Sequence, residues 1–185
     1  MNAARKFLKC QTAEEMKGKV FVTAGLGGMS GAQPKAGVVA GMVTVVAEVD
    51  VNALNKRFNQ GWIQSKESDV DVVVQKIKQY KHEKKTISIG FHGNIVTLWE
   101  RLVKEKEPLV DLGSDQTSLH NPFQGGYYPV TLSFEEARKM MVNDPARFKQ
   151  EVYTSLRRHV AAVNALTSRG MHFWDYGNAL CVHSN

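Results

Sequence analysis

Apolar positions along the chain follow two alternating patterns. Short β-branched runs recur at 20–23 (VFVT), 43–48 (VTVVAE), 86–91 (TISIGF), 109–112 (LVDL) and 172–174 (HFW), with 62–64 a weaker candidate. Between them the spacing changes to that of helices. Val70, Val73, Val74 and Ile77 share one face after Ser68 and Asp69, and Ile95, Leu98, Leu102 and Val103 share another. A short small-residue helix is predicted over 34–42, with a proline near its start. Ser133 with Glu136, and Thr12 with Glu15, have the spacing of capping boxes. The first opens a helical stretch that Asn143, Asp144 and Pro145 interrupt, and it resumes through Phe148, Val152, Leu156, His159, Val160 and Val163 to Gly170.

Near-continuous apolar strands suit a sheet covered on both faces, and strand–helix alternation implies parallel pairing through crossovers. The predicted fold is therefore α/β: a doubly wound, mostly parallel, Rossmann-like sheet, in one domain over 1–185. In such sheets ligands bind beyond the carboxyl ends of the strands, so the residues after each strand carry the functional expectation.

Composition narrows this picture. An apolar fraction of 43% and a charged fraction of 23% are those of a soluble globular chain. No apolar run approaches the roughly 20 residues that span a bilayer, so no membrane partner is expected. Much of the excess behind the net charge of +6 lies in stretches such as KIKQYKHEKK at 76–85, and there is no basic stripe interleaved with aromatics of the kind strand-binding surfaces use. It reads as solvated helix faces, not a nucleic-acid surface. Cys10 and Cys181 alone make no disulfide framework and fit a reducing compartment. No metal-ligand spacing and no phosphate-loop lysine is present.

After the first strand comes AGLGGMSGAQP, a glycine-rich turn followed by a proline-started helix. Glycine lets backbone approach a ligand closely, and a helix start offers free N–H groups to phosphate. The spacing departs by one residue from G-x-G-x-x-G, and a purely structural turn is the alternative. Glu48 ends the second strand about 20 residues later, the position from which a carboxylate binds ribose hydroxyls and disfavours NADP. The 86–91 strand runs into His92-Gly93-Asn94, where Asn94 is either a ligand contact or a helix cap. Residues 115–129 form a long polar loop with paired glycines and tyrosines. Within it His120 is either a general acid–base or a hydrogen-bonding residue. Asp175-Tyr176-Gly177-Asn178 adds a polar cluster, as a turn or as a ligand contact.

Three segments, AGLGGMSGAQP (24–34), DLGSDQTSLHNPFQGGYYP (111–129) and FWDYGN (173–178), resemble the urocanase (urocanate hydratase) family in content and order. The resemblance covers nearly the whole chain. It implies the NAD-binding domain of a cytoplasmic, homodimeric lyase of histidine degradation. That lyase hydrates urocanate to imidazolone propionate with NAD+ as an electrophile. On matching positions it implies cofactor contacts from Gly28, Met29 and Ser30, from Glu48, and from Asn94 and Ile95. Gln116, Thr117, Ser118, Leu119, His120, Tyr127, Tyr128 and Tyr176 would line the rest of the site. Ser30 stands where some members have glycine, and a basic contact near Ala53 is not carried over. Members are longer, with an essential cysteine in a motif beyond this domain, and neither Cys10 nor Cys181 lies in that context. The expectation is a fragment with no catalytic residue of its own. A self-contained NAD-dependent dehydrogenase would need a histidine–carboxylate pair for hydride transfer, and none is identified. A non-catalytic dinucleotide-binding module is the remaining alternative.

Overall fold

The computed structural model describes residues 2–28, 30–115 and 121–175, with backbone alone for 2–4. Six strands form one sheet: β1 (Val20–Ala24), β2 (Val43–Glu48), β3 (Ser65–Glu67), β4 (Ile87–His92), β5 (Leu112–Asp115) and β6 (His172–Asp175). Their order is β3-β4-β2-β1-β5-β6, and every pairing is parallel. The helices are α1 (Asn2–Leu8), α2 (Gln33–Val39), α3 (Val51–Asn59), α4 (Val70–His82), α5 (Ile95–Val103), α6 (Phe134–Asn143) and α7 (Pro145–Thr167).

Side-chain alternation in β2 shows why the sheet is doubly wound. Val43 and Val45 pack with Val73 and Val74 of α4, Leu98 and Trp99 of α5, and Val163 and Leu166 of α7. Val46 faces the opposite way and packs with Leu26, Leu54 of α3 and Ile63. On that second face Gly37 of α2 lies so close to Thr44 that a Cβ there would collide with the threonine side chain. Two faces buried under helices remove valine from water on both sides, which is what a β-branched run needs.

Helix starts follow the polar residues before them. Asp50, Asp69, Asn94 and Ser133 each accept a backbone N–H at the starts of α3, α4, α5 and α6, and Asp144 does so for α7. Ser133 and Glu136 complete a reciprocal capping box. Thr12 and Glu15 also bond reciprocally, but the chain there stays in turns, and Gly18 at φ +80° turns it into β1.

Several features depart from the sequence expectation, among them α1, which no sequence pattern predicted. α3 lies where no helix was predicted, and the edge strand is 65–67 and not 62–64. The fifth strand is Leu112–Asp115, three residues beyond the predicted 109–112. Its Gly-Ser-Asp sequence has poor strand propensity, yet its neighbours demand it. A Cβ on Gly113 would stand 2.9 Å from Phe173 and 3.1 Å from Trp99, and Ser114 Oγ donates to Thr23 Oγ1 of β1 at 2.9 Å. Asp111 is instead the strand's anchor, its Oδ2 accepting the Val20 amide at 2.9 Å.

Candidate functional site

β1 is the pivot of the topology: β2 and β4 lie to one side, β5 and β6 to the other. A cleft of about 320 Å³ opens at the carboxyl edge, within the range of small-molecule sites. Gly25 and Gly27 after β1, Glu48 through Asp50 after β2, and Gly93 through Ile95 after β4 line it, with Gly125 through Tyr128 and Phe134 opposite. Segments separated by more than a hundred residues converge here, three of them because each follows a strand of one parallel sheet.

The glycine turn is held from two sides. Glu48 Oε2 accepts the Leu26 amide at 2.6 Å, while Oε1 accepts the Asp50 amide at 2.9 Å. Burial raises the Glu48 carboxyl above its ordinary value and the nearby Asp50 charge adds to this, against backbone amides of Asp50, Leu26 and Val49 that lower it. A carboxylate has about four lone-pair sites, so Glu48 keeps acceptor capacity toward the cleft. From beneath, Arg57 of α3 donates Nε to Leu26 O at 3.0 Å and Nη2 to Gly27 O at 2.6 Å. Gly25 has φ +89°, and a Cβ there would stand 2.8 Å from Ser30 Oγ. Ser30 is buried inside the turn, whereas Gly27 and Gly28 are exposed and an added Cβ on either meets nothing within 4 Å.

Asn94 spends its side chain on structure. Its Oδ1 caps α5 by accepting the Val96 amide at 2.9 Å, and its Nδ2 donates to Tyr128 O at 2.8 Å. It therefore ties the loop before α6 to the end of β4, and Ile95 beside it contributes apolar surface to the cleft. Tyr128 packs at 4.8 Å against Phe134, and burial, opposed by Arg138, raises its phenol. Tyr127 is buried, and its hydroxyl lies 3.4 Å from His159 Nδ1, while His159 Nε2 lies 3.5 Å from Asp115 Oδ2. Burial, with the Asp115 charge adding, pushes the Tyr127 phenol well up.

Of the residues expected at this site, Glu48, Asn94, Ile95, Tyr127 and Tyr128 line the cleft, while Gly28 and Ser30 belong to the turn without lining it. Met29, Gln116, Thr117, Ser118, Leu119, His120 and Tyr176 lie outside the described residues. Sequence reasoning missed Asp50, Phe134, Arg57 and His159. Asp50 alone carried a signal, as an acidic residue before a helix-compatible run. Among the described residues no group of three or more metal-ligating side chains exists, and no helix is long and apolar enough to cross a membrane. Cys10 packs with Met16, Phe21, Met42 and Leu112, at the opposite, amino edge of the sheet.

A glycine turn, an acidic strand end and a cleft at the pivot of a parallel sheet define a dinucleotide-binding class of α/β domain. The profile of the urocanase Rossmann-like domain matches residues 1–185, and the chain belongs to the urocanase family. It is 54% identical over 182 residues to a probable urocanate hydratase of Caenorhabditis elegans, covering 98% of this chain and 27% of that protein. It is 53% identical over 188 residues to the urocanate hydratase of Homo sapiens, covering 100% of this chain and 27% of that protein. The chain thus spans about 27% of the length of the curated relatives it matches.

Proposed function

We propose that this chain is the NAD-holding domain of a urocanate hydratase, serving the addition of water to urocanate in the whole protein. The observation that carries the reading is Glu48 at the end of β2, bonded across to Leu26 in a turn whose Gly27 and Gly28 edges are open. Ribose hydroxyls fit the free acceptor sites of Glu48, and a pyrophosphate fits against the exposed glycines. Ile95 and Ala53 offer apolar surface to the adenine-bearing half, and Gly125 through Tyr128 with Phe134 form the wall that excludes water on the far side. Bound NAD would supply an electron-poor ring. Met29, Gln116 through His120 and Tyr176 are assigned to its remaining contacts on the family resemblance. The two-fold assembly and cytoplasmic setting of the whole protein are proposed on the same ground.

Calorimetry with NAD and NADP tests the cofactor assignment. The expected result is NAD binding with NADP weaker by on the order of tenfold, because the added 2′-phosphate meets the Glu48 carboxylate. Equal affinity overturns the role of Glu48, and a folded chain that binds neither overturns the site. Urocanate is not expected to be consumed by these 185 residues alone. The described thiol, Cys10, sits at the sheet edge away from the cleft. Loss of urocanate absorbance with the isolated chain would refute this.

A further inference from the structure

Arg57 is a buried cation whose hydrogen bonds, among the described residues, go to carbonyl and amide oxygens and to no carboxylate. Its residue is 8% exposed, its guanidinium carbon lies 4.8 Å from the Trp62 ring centre, and its Nη1 donates to Gln60 Oε1 at 2.9 Å. Its other donors go to the carbonyls of Leu26 and Gly27. Among the described residues no carboxylate forms an ion pair with it, whereas Arg101 pairs with Asp71 and Glu105 and Arg158 pairs with Glu100. Burying a guanidinium without a counter-charge is costly, and an anionic ligand beside it would supply that charge.

The backbone indicates where that charge would sit. The chain has no cis peptide among the described residues, so each C=O points opposite to the N–H of the next residue. With the Leu26 and Gly27 carbonyls both turned onto Arg57, the amides of Gly27 and Gly28 face the other way, toward the exposed side where Gly27 lines the cleft. Glu48 holds the Leu26 amide, which anchors the peptide that leads into this pair. Gly31 is part of the same fitting, since a Cβ there would collide with the guanidinium.

We propose that Arg57 is the positioning residue of a diphosphate cradle. Its planar fork sets two consecutive peptides so that the Gly27 and Gly28 amides meet the phosphate oxygens, and its charge balances them from behind. The inference rests on the dinucleotide reading and adds the residue that gives the turn its shape and charge. Lysine cannot substitute fully, because a point charge on a flexible stem does not fix two carbonyls at once.

Calorimetry with ADP and with adenosine, on the wild-type chain and on Arg57→Lys and Arg57→Met, tests this at low salt. Arg57→Met is expected to weaken ADP by about tenfold or more, the scale of a lost charge-assisted contact, and to leave adenosine unchanged. Arg57→Lys should fall between, retaining charge but not the fork. In the wild type, the Gly27 and Gly28 amide resonances should move on addition of ADP and stay in place with adenosine, a readout that needs no variant to fold. The proposal is overturned by unchanged ADP affinity in either folded variant, by equal losses for ADP and adenosine, or by stationary Gly27 and Gly28 resonances in ADP-bound wild type. If the folded wild type binds neither ADP nor NAD, the dinucleotide reading itself falls and takes this inference with it.

Discussion

His159 Nε2 stands 3.5 Å from Asp115 Oδ2, and neither side chain is more than 1% exposed. α7 thereby presents an imidazole to the last residue of β5, and the ring's other nitrogen meets the Tyr127 hydroxyl at 3.4 Å. A neutral imidazole fits this arrangement, with Nδ1 accepting from the phenol and Nε2 facing the carboxylate without a hydrogen bond between them. Burial holds the His159 pKa below its ordinary value, against the Asp115 charge that raises it. A histidine whose folded value is depressed contributes its full stability above the unfolded value of about 6.5 and loses it as pH falls through the folded value. The urea midpoint of the wild type should therefore drop below about pH 6.5 more steeply than that of His159→Phe. That variant should also lose about 1–3 kcal/mol at pH 8, because the buried Tyr127 hydroxyl loses its imidazole partner. Parallel pH curves for the two proteins would show that His159 does not titrate on unfolding.

Gly113 tests why β5 lies where it does. Its missing side chain admits Phe173, the Met171 sulfur and Trp99, which would stand 2.9, 3.1 and 3.1 Å from a Cβ. Gly113→Ala should destabilise the chain by about 1–3 kcal/mol, the cost of overpacking a filled core, with ADP binding retained below the transition. An unchanged thermal midpoint would mean that Phe173 and Met171 move aside at no cost.

Strand ends were legible in the sequence because a parallel sheet exposes its carboxyl edge, and the glycine turn and Glu48 both follow apolar runs of the right length. Tertiary demand defeated the local signal at β5, where glycine, serine and aspartate form a strand because Trp99, Thr23 and β6 leave room for nothing larger. Arg57 was invisible for a different reason. A guanidinium in an amphipathic helix reads as a solvated face, and its partners Leu26 and Gly27 lie some thirty residues earlier. His159 fell on the periodic apolar face of α7 and gave no hint that its partner was a carboxylate on a strand.

Two glycines of the turn should separate binding from folding. Gly28 has no positive φ, and an added Cβ there meets nothing within 4 Å, so Gly28→Val should keep stability within about 0.5 kcal/mol of wild type. It should nevertheless abolish NAD binding by filling the face that phosphate approaches. Gly31→Ala is expected to lower the melting temperature as well, because its Cβ strikes the Arg57 guanidinium. Thermal melts with and without NAD distinguish the two. A Gly28→Val chain that is still stabilised by NAD would mark the turn as structural only.

Asn94 joins two tasks that one substitution can divide. Serine at this position keeps a short oxygen able to cap α5 by accepting the Val96 amide, but it is too short to donate to Tyr128 O. Asn94→Ala loses both contacts and should cost about 1–2 kcal/mol. Asn94→Ser should cost less than that, since the cap survives. Its effect should appear in the cleft wall instead, because Tyr128 is then held mainly by its packing on Phe134. Hydrogen exchange should accelerate at Gly125 through Tyr128 in Asn94→Ser while the amides of α5 keep wild-type protection, and NAD affinity should fall with the loosened wall. Uniform acceleration across α5 and the loop would mean that serine fails as a cap. Unchanged exchange in the loop would mean that Tyr128 and Phe134 hold the wall without Asn94.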